Sequence, residues 1–218
     1  MTKTQSTSGN PASELRETLF GDVPLEQWGK ATSATPWSQF AAAARSLADG
    51  DTASARGVLQ AILPQKGLES RHYLQAWHGL RSIGVAPAAT EGKHVYGVVV
   101  DVPVATGVDT VAAYEDGSAR YLNYTGSAVI WDAPDDRMAH LVAAVVAEGA
   151  KIAARIGPWE GARPPLPAGM TRLSMLTPSG LHFGQASFEV LAREPMAAPL
   201  IQAVTKLMQA LIEFATKR

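Results

Sequence analysis

The sequence predicts an α+β protein: a mostly antiparallel sheet packed by two long helices, with an N-terminal helical subdomain. Three observations carry this. Up to Gly84 the apolar residues recur every three or four positions, the period of a helix with one buried face. Between His94 and Trp131 the pattern changes to short β-branched and aromatic runs separated by turn residues. Two long amphipathic stretches follow, one from Pro134 to Ile156 and one from the region of Pro195 to Pro199 onward, and such helices need a broad apolar surface to cover.

Residues 1–12, rich in Thr, Ser, Gly and Asn, are expected to form a disordered tail. Residues 13–84 read as the helical subdomain. A short helix starts at Ser13, carries Leu15, Leu19 and Phe20, and ends at Gly21. Thr35-Pro36 reads as a cap and first-turn pair for a helix bearing Trp37, Phe40, Ala44 and Leu47, ending at Asp49-Gly50. Another from Thr52 gathers Ala55, Val58, Leu59 and Ile62, and a third from Ser70 gathers Tyr73, Trp77 and Leu80. No aromatic or small-residue pattern returns at a fixed period, so these helices pack as a subdomain and not as a repeat array.

Residues 85–92 read as a linker, and 93–218 as the α+β domain. The first strand has apolar residues on both parities, Val98, Val100 and Val102 against Gly97 and Val99, which predicts a central strand covered on both sides. Pro103 belongs near its end. Asp116-Gly117 predicts a two-residue hairpin loop, placing Ala113 opposite Arg120, Ala112 opposite Tyr121 and Val111 opposite Leu122. A short strand ends in Val129, Ile130 and Trp131.

In the next helix Met138, Leu141, Val145, Gly149, Ile152 and Ile156 form one stripe, and Gly149 on it predicts close approach of another element. Gly157 to Gly169 is a Pro- and Gly-rich loop long enough to cover or bind something. Strands from Thr171 to Leu176 and Leu181 to Val190 follow. The last helix buries Leu200, Val204, Leu207, Leu211 and Phe214, with Ile201, Met208 and Ile212 widening the stripe. The expected order is therefore four strands, a helix, two strands and a helix; the helical subdomain either covers the far face of the sheet or stands beside it, leaving that face solvated.

Composition narrows the function by exclusion. The chain has no cysteine, so it has no disulfide framework, thiolate chemistry or cysteine-bound metal. A formal net charge of -1 supplies no long-range field for nucleic acid. Arg155, Arg163 and Arg172 are scattered and read as solvated surface; Tyr114, Tyr121, Tyr124 and Trp131 read as sheet packing. The five histidines lack ligand spacing, and neither a nucleophile elbow nor a phosphate-binding glycine loop occurs, so no metal and no cofactor is expected. The polar start and the absence of a long apolar run point to a cytoplasmic protein with no membrane association.

The expectation that follows is a non-enzymatic protein-interaction or accessory protein, with a protein partner or a second copy of itself. The wide C-terminal stripe and a charged fraction of only 18% favour a homodimer. The alternative is an enzyme or small-ligand sensor with a pocket under the 157–169 loop. Trp159, Glu160 and Arg163 then line the lid, and Asp132, Asp136 and His140 lie at the rim. The aspartates surround a helix start, where the free amides and helix dipole favour carboxylates, and His140 stands one turn beyond Asp136 as a candidate acid-base partner.

Overall fold

In the computed structural model, which describes residues 11–28, 34–132 and 136–217, helices give way to strands where the sequence periodicity changes. Helices α1 (Pro11–Thr18), α2 (Leu25–Trp28), α3 (Trp37–Ala48), α4 (Thr52–Gln60) and α5 (Ser70–Ser82) come first. The expected tail lies outside the described residues as far as residue 10. Pro11 and Ala12 already belong to α1, and proline suits a first turn because its missing amide hydrogen is not needed there. Thr35 does not cap α3; Pro36 occupies the cap position and makes no side-chain cap bond. Asp51 does cap α4, accepting from the Ser54 amide at 2.9 Å.

Six strands follow: β1 (Gly97–Val104), β2 (Gly107–Tyr114), β3 (Ala119–Leu122), β4 (Ala128–Trp131), β5 (Thr171–Thr177) and β6 (Gly180–Ala186). They form one sheet in the order β4-β3-β2-β1-β5-β6, with every neighbour antiparallel. Between β4 and β5 lies α6 (Asp136–Ala153), and β6 is followed by α7 (Phe188–Leu191) and α8 (Ala198–Thr216). The sequence predicts that the strand continues through Phe188–Val190, which instead lie in α7. Ser187 ends the strand by accepting from the Val190 amide at 3.4 Å and opening α7.

One face of the sheet presents Val98, Val100, Val111, Ala113, Leu173 and Met175 to Met138, Val142, Val145 and Ile152 of α6 and Leu200, Val204, Leu207 and Leu211 of α8. The opposite face presents Val99, Ala112, Tyr114, Leu122 and Leu176, which pack against Leu19, Phe20 and Leu74. The helical region thus covers this face, and its middle is not solvated. Behind Leu74, the helices bury Phe40, Leu59, Ile62, Trp77 and Leu80 among themselves. Complete burial of each such side chain contributes about 1.5–3 kcal/mol. Among the described residues, no helix is long and apolar enough to cross a membrane.

The β2–β3 hairpin differs from expectation by one residue. Tyr114 N donates to Ser118 O at 3.0 Å and Gly117 N to Tyr114 O at 3.0 Å, so residues 115–117 form the loop. Gly117 takes φ +84°, the left-handed bulge position that closes a three-residue loop. Ala112 therefore pairs with Arg120 and Val111 with Tyr121, exchanging the faces of β3. The cause is tertiary. Asp116 accepts from the Ser70 amide at 2.6 Å and from the Ser118 amide at 2.8 Å, while its own amide donates to Ser70 Oγ at 3.1 Å. The hairpin tip is thereby locked onto the start of α5.

Two arginines also depart from the solvated reading. Arg172 is 3% exposed and lies on β5 opposite Asp101 and Gln185. It donates to Gln185 Oε1 at 2.8 and 3.0 Å, to Pro164 O at 2.7 Å and to Pro165 O at 2.8 Å. Arg163 is half-buried, and Arg155 alone of the three is exposed.

Candidate functional site

A cleft of about 740 Å³ lies beneath the 157–169 loop, walled by the α1–α2 junction, by α5 and by the β5–β6 hairpin. Each wall has a local cause. Gly21, at φ +61°, turns the chain where a Cβ would stand 2.8 Å from Leu74 Cβ, so only glycine lets this junction run against α5. Gln75 Nε2 ties the same segment down by donating to Val23 O at 2.8 Å. Phe20 and Asp22 are held in place as a result.

On α5, Trp77 and Leu80 turn into the helical core, while His78, Arg81 and Ser82 reach the cleft. Arg81 Nη1 donates to Pro178 O at 2.6 Å, joining α5 to the tip of the β5–β6 hairpin. Burial pulls the Arg81 guanidinium below its ordinary value, with the charge of Asp22 opposing. Burial and then the neighbouring Arg81 pull His78 down, again against Asp22, which leaves a neutral imidazole at pH 7.

The loop itself is fastened at three places. Trp159 N donates to Leu181 O at 2.6 Å, and Trp159 Nε1 closes the local turn on Ala162 O at 3.1 Å. Arg163 reaches across to the helices, donating to Glu17 at 2.5 Å and Asp22 at 3.2 Å, and its guanidinium sits 3.8 Å from the centre of the Phe20 ring. Burial lowers the Arg163 value, but Asp22 and Glu17 outweigh it and hold the group above the ordinary range. The third fastening is Arg172 on the carbonyls of Pro164 and Pro165.

Behind this loop the sheet carries a buried polar row. Asp101 accepts from Thr110 Oγ1 at 2.6 Å, and Arg16 donates to Thr110 Oγ1 and to Val108 O, both at 3.0 Å. Burial pushes the Asp101 carboxyl up, opposed by the Thr110 hydrogen bond and by Arg16, Arg172 and Arg163.

Trp159 and Arg163, named from the sequence, line the cleft, and Glu160 is exposed beside them without lining it. Asp132 lies elsewhere. It pairs with the buried Arg120 and borders a second cavity of about 520 Å³, with Glu69, Ser70, Tyr73, Glu115, Asp116 and Ser118. His140 is exposed on α6, and Asp136 begins that helix with a side chain outside the described residues. Sequence reasoning missed Phe20, Asp22, His78 and Arg81. The available signal was the polar trio His78, Arg81 and Ser82 at positions i, i+3 and i+4, one helical face opposite an apolar one. Among the described residues, no group of three or more His, Cys, Asp and Glu is arranged to hold a metal ion.

Comparison with known proteins finds no family model, no curated protein and no solved structure that matches this chain.

Proposed function

We propose that this protein is a small-ligand sensor whose ligand sits beneath the 157–169 loop. The observation that carries the reading is the fastened loop itself. Three separate sets of hydrogen bonds hold a Pro- and Gly-rich segment over a cleft of about 740 Å³. Ligand pockets have volumes of roughly 300–1,000 Å³ and combine apolar walls with a few placed polar groups. Here Phe20, Leu74, Trp159, Leu176 and Leu181 supply the apolar wall, and His78, Arg81 and Thr177 the polar one.

The test is a thermal-shift screen across organic acids, nucleotides and divalent metals, repeated on Trp159→Ala. A ligand that raises the midpoint of the wild type and not of Trp159→Ala supports the reading. If no compound raises the midpoint, or hits act equally on both proteins, the cleft is not a ligand site.

A second reading, a role in protein interaction through self-association, is favoured by a separate observation. Phe188, Val190 and Met196 are 39%, 57% and 37% exposed within one short segment at α7 and the turn after it. Sedimentation equilibrium at micromolar concentration decides this. A dimer mass that reverts to monomer in Val190→Glu supports it, and a monomer mass in the wild type removes it.

A further inference from the structure

We infer that the ligand of the cleft is a monocarboxylate with an apolar body, its carboxylate held by Arg81 and His78. This inference rests on the small-ligand reading and specifies the ligand's chemistry.

The argument begins with which cation is already engaged. Arg163 lies between Glu17 and Asp22 and is neutralised by them. Among the described residues Arg81 has one hydrogen bond, to the Pro178 carbonyl, and no carboxylate oxygen lies within 4.0 Å of it. Its remaining N–H groups have no protein acceptor among the described residues, although the side chain is partly buried and lines the cleft. A partly buried guanidinium that Asp22 influences only from beyond 4.0 Å gains charge-assisted hydrogen bonds from an incoming carboxylate. His78 stands one turn away on the same helix, also lining the cleft, with no hydrogen bond to either ring nitrogen among the described residues. A neutral imidazole donates one N–H, which suits the second oxygen of the same carboxylate.

Charge balance sets the ligand's valence. Glu17 and Asp22 against Arg163 and Arg81 sum to zero, with His78 neutral. A monocarboxylate adds one negative charge beside Arg81, whereas a dianionic phosphate adds a second, which is repelled by Glu17 and Asp22 with no cation besides Arg81 and Arg163 among the residues lining the cleft. The rest of the wall accounts for the body. Phe20, Leu74, Leu176 and Leu181 are apolar, and the exposed face of Trp159 adds an aromatic surface. Such a ligand buries its chain or ring among these residues and directs its acid toward α5.

The experiment is titration calorimetry with matched sets of aryl and alkyl carboxylates, their primary amides and the corresponding phosphate monoesters. The proteins are the wild type, Arg81→Gln, Arg81→Lys and Trp159→Ala, each checked for folding by circular dichroism. In the wild type, carboxylates are expected to bind about tenfold or more tightly than their amides and than the phosphates. Arg81→Gln weakens carboxylates far more than amides and so removes that preference, Arg81→Lys restores part of it, and Trp159→Ala weakens all classes together. Equal binding of amides and carboxylates to the wild type, or a preference that survives in folded Arg81→Gln, overturns the carboxylate inference and leaves the small-ligand reading standing. A preference for phosphates over carboxylates overturns the valence argument and with it the inference. Absence of binding by all three classes overturns both.

Discussion

Gly149 of α6 and Val98 of β1 approach so closely that a Cβ on Gly149 would stand 2.4 Å from Val98 Cγ2. Met175 of β5 adds a second wall at 3.3 Å. The absence of a side chain on this one helical residue sets how near α6 lies to the central strand. Gly149→Ala gains about 1 kcal/mol of helix propensity but loses more to overpacking, which costs typically 1–3 kcal/mol. The expected result is a net destabilisation, read as a lower urea midpoint. An unchanged or raised midpoint shows that the helix can move off the strand freely.

Arg163 acts as the clasp between the 157–169 loop and the helices, through Glu17, Asp22 and the Phe20 ring. Its partners are partly solvated, so Arg163→Ala is expected to cost only about 1 kcal/mol of global stability. The local effect is larger. Amide hydrogen exchange should rise across residues 157–169 while β1 and β5 remain protected. Protection of the loop equal to wild type means that Trp159 and Arg172 hold it without the clasp.

Arg120 and Asp132 form an unequal pair: the arginine is 3% exposed, while the aspartate side chain is 64% exposed. Arg120 also donates to Ala119 O at 2.9 Å and Trp131 O at 3.0 Å, bridging β3 and β4 from within. Arg120→Met strands those carbonyls and is expected to cost about 1–3 kcal/mol. Asp132→Ala, where water can replace the carboxylate, is expected to cost about 1 kcal/mol or less. Neither substitution should alter affinity at the cleft beneath the loop. A change in ligand affinity in Asp132→Ala would return this residue to the binding site.

The pH dependence of stability has a definite sign. His72, His78 and His182 are each held below the ordinary imidazole value of 6.5, chiefly by burial. As pH falls, the unfolded chain binds protons before the folded one, so their contribution is fully present above 6.5 and is lost below it. Asp101, raised above the usual carboxylate value by burial, acts in the opposite sense at the acid end, where its protonation relieves a buried charge. Urea midpoints measured between about pH 8 and pH 5 should therefore fall from near neutrality downward. A flat profile across that interval contradicts the neutral, buried state of the histidines.

Much of the fold was legible because its signals are local. The stripe containing Met138, Val145 and Ile152 marks α6, the two-sided apolar pattern of Val98 to Val100 marks the central strand, and Gly149 announced a close contact from its position alone. The candidate site was only half legible. Trp159 and Arg163 were found because a long Pro- and Gly-rich loop is conspicuous in a sequence. Phe20 and Asp22 lie far in the chain from Trp159, and although His78 and Arg81 share a face of α5, nothing in the sequence ties that face to the loop.

The sequence by itself therefore determined the α+β class, the succession of the six strands and the two long helices, since these follow from side-chain period and turn chemistry within a few residues; the short helices α2 and α7 escaped it. Tertiary structure decided the register of β3, because Asp116 engages the start of α5 and thereby selects a three-residue loop over a two-residue one. It also decided the burial of Arg172, whose donors are satisfied by the Pro164 and Pro165 carbonyls and by Gln185. A buried polar group is tolerated only where its partners converge, and that convergence depends on how distant segments pack.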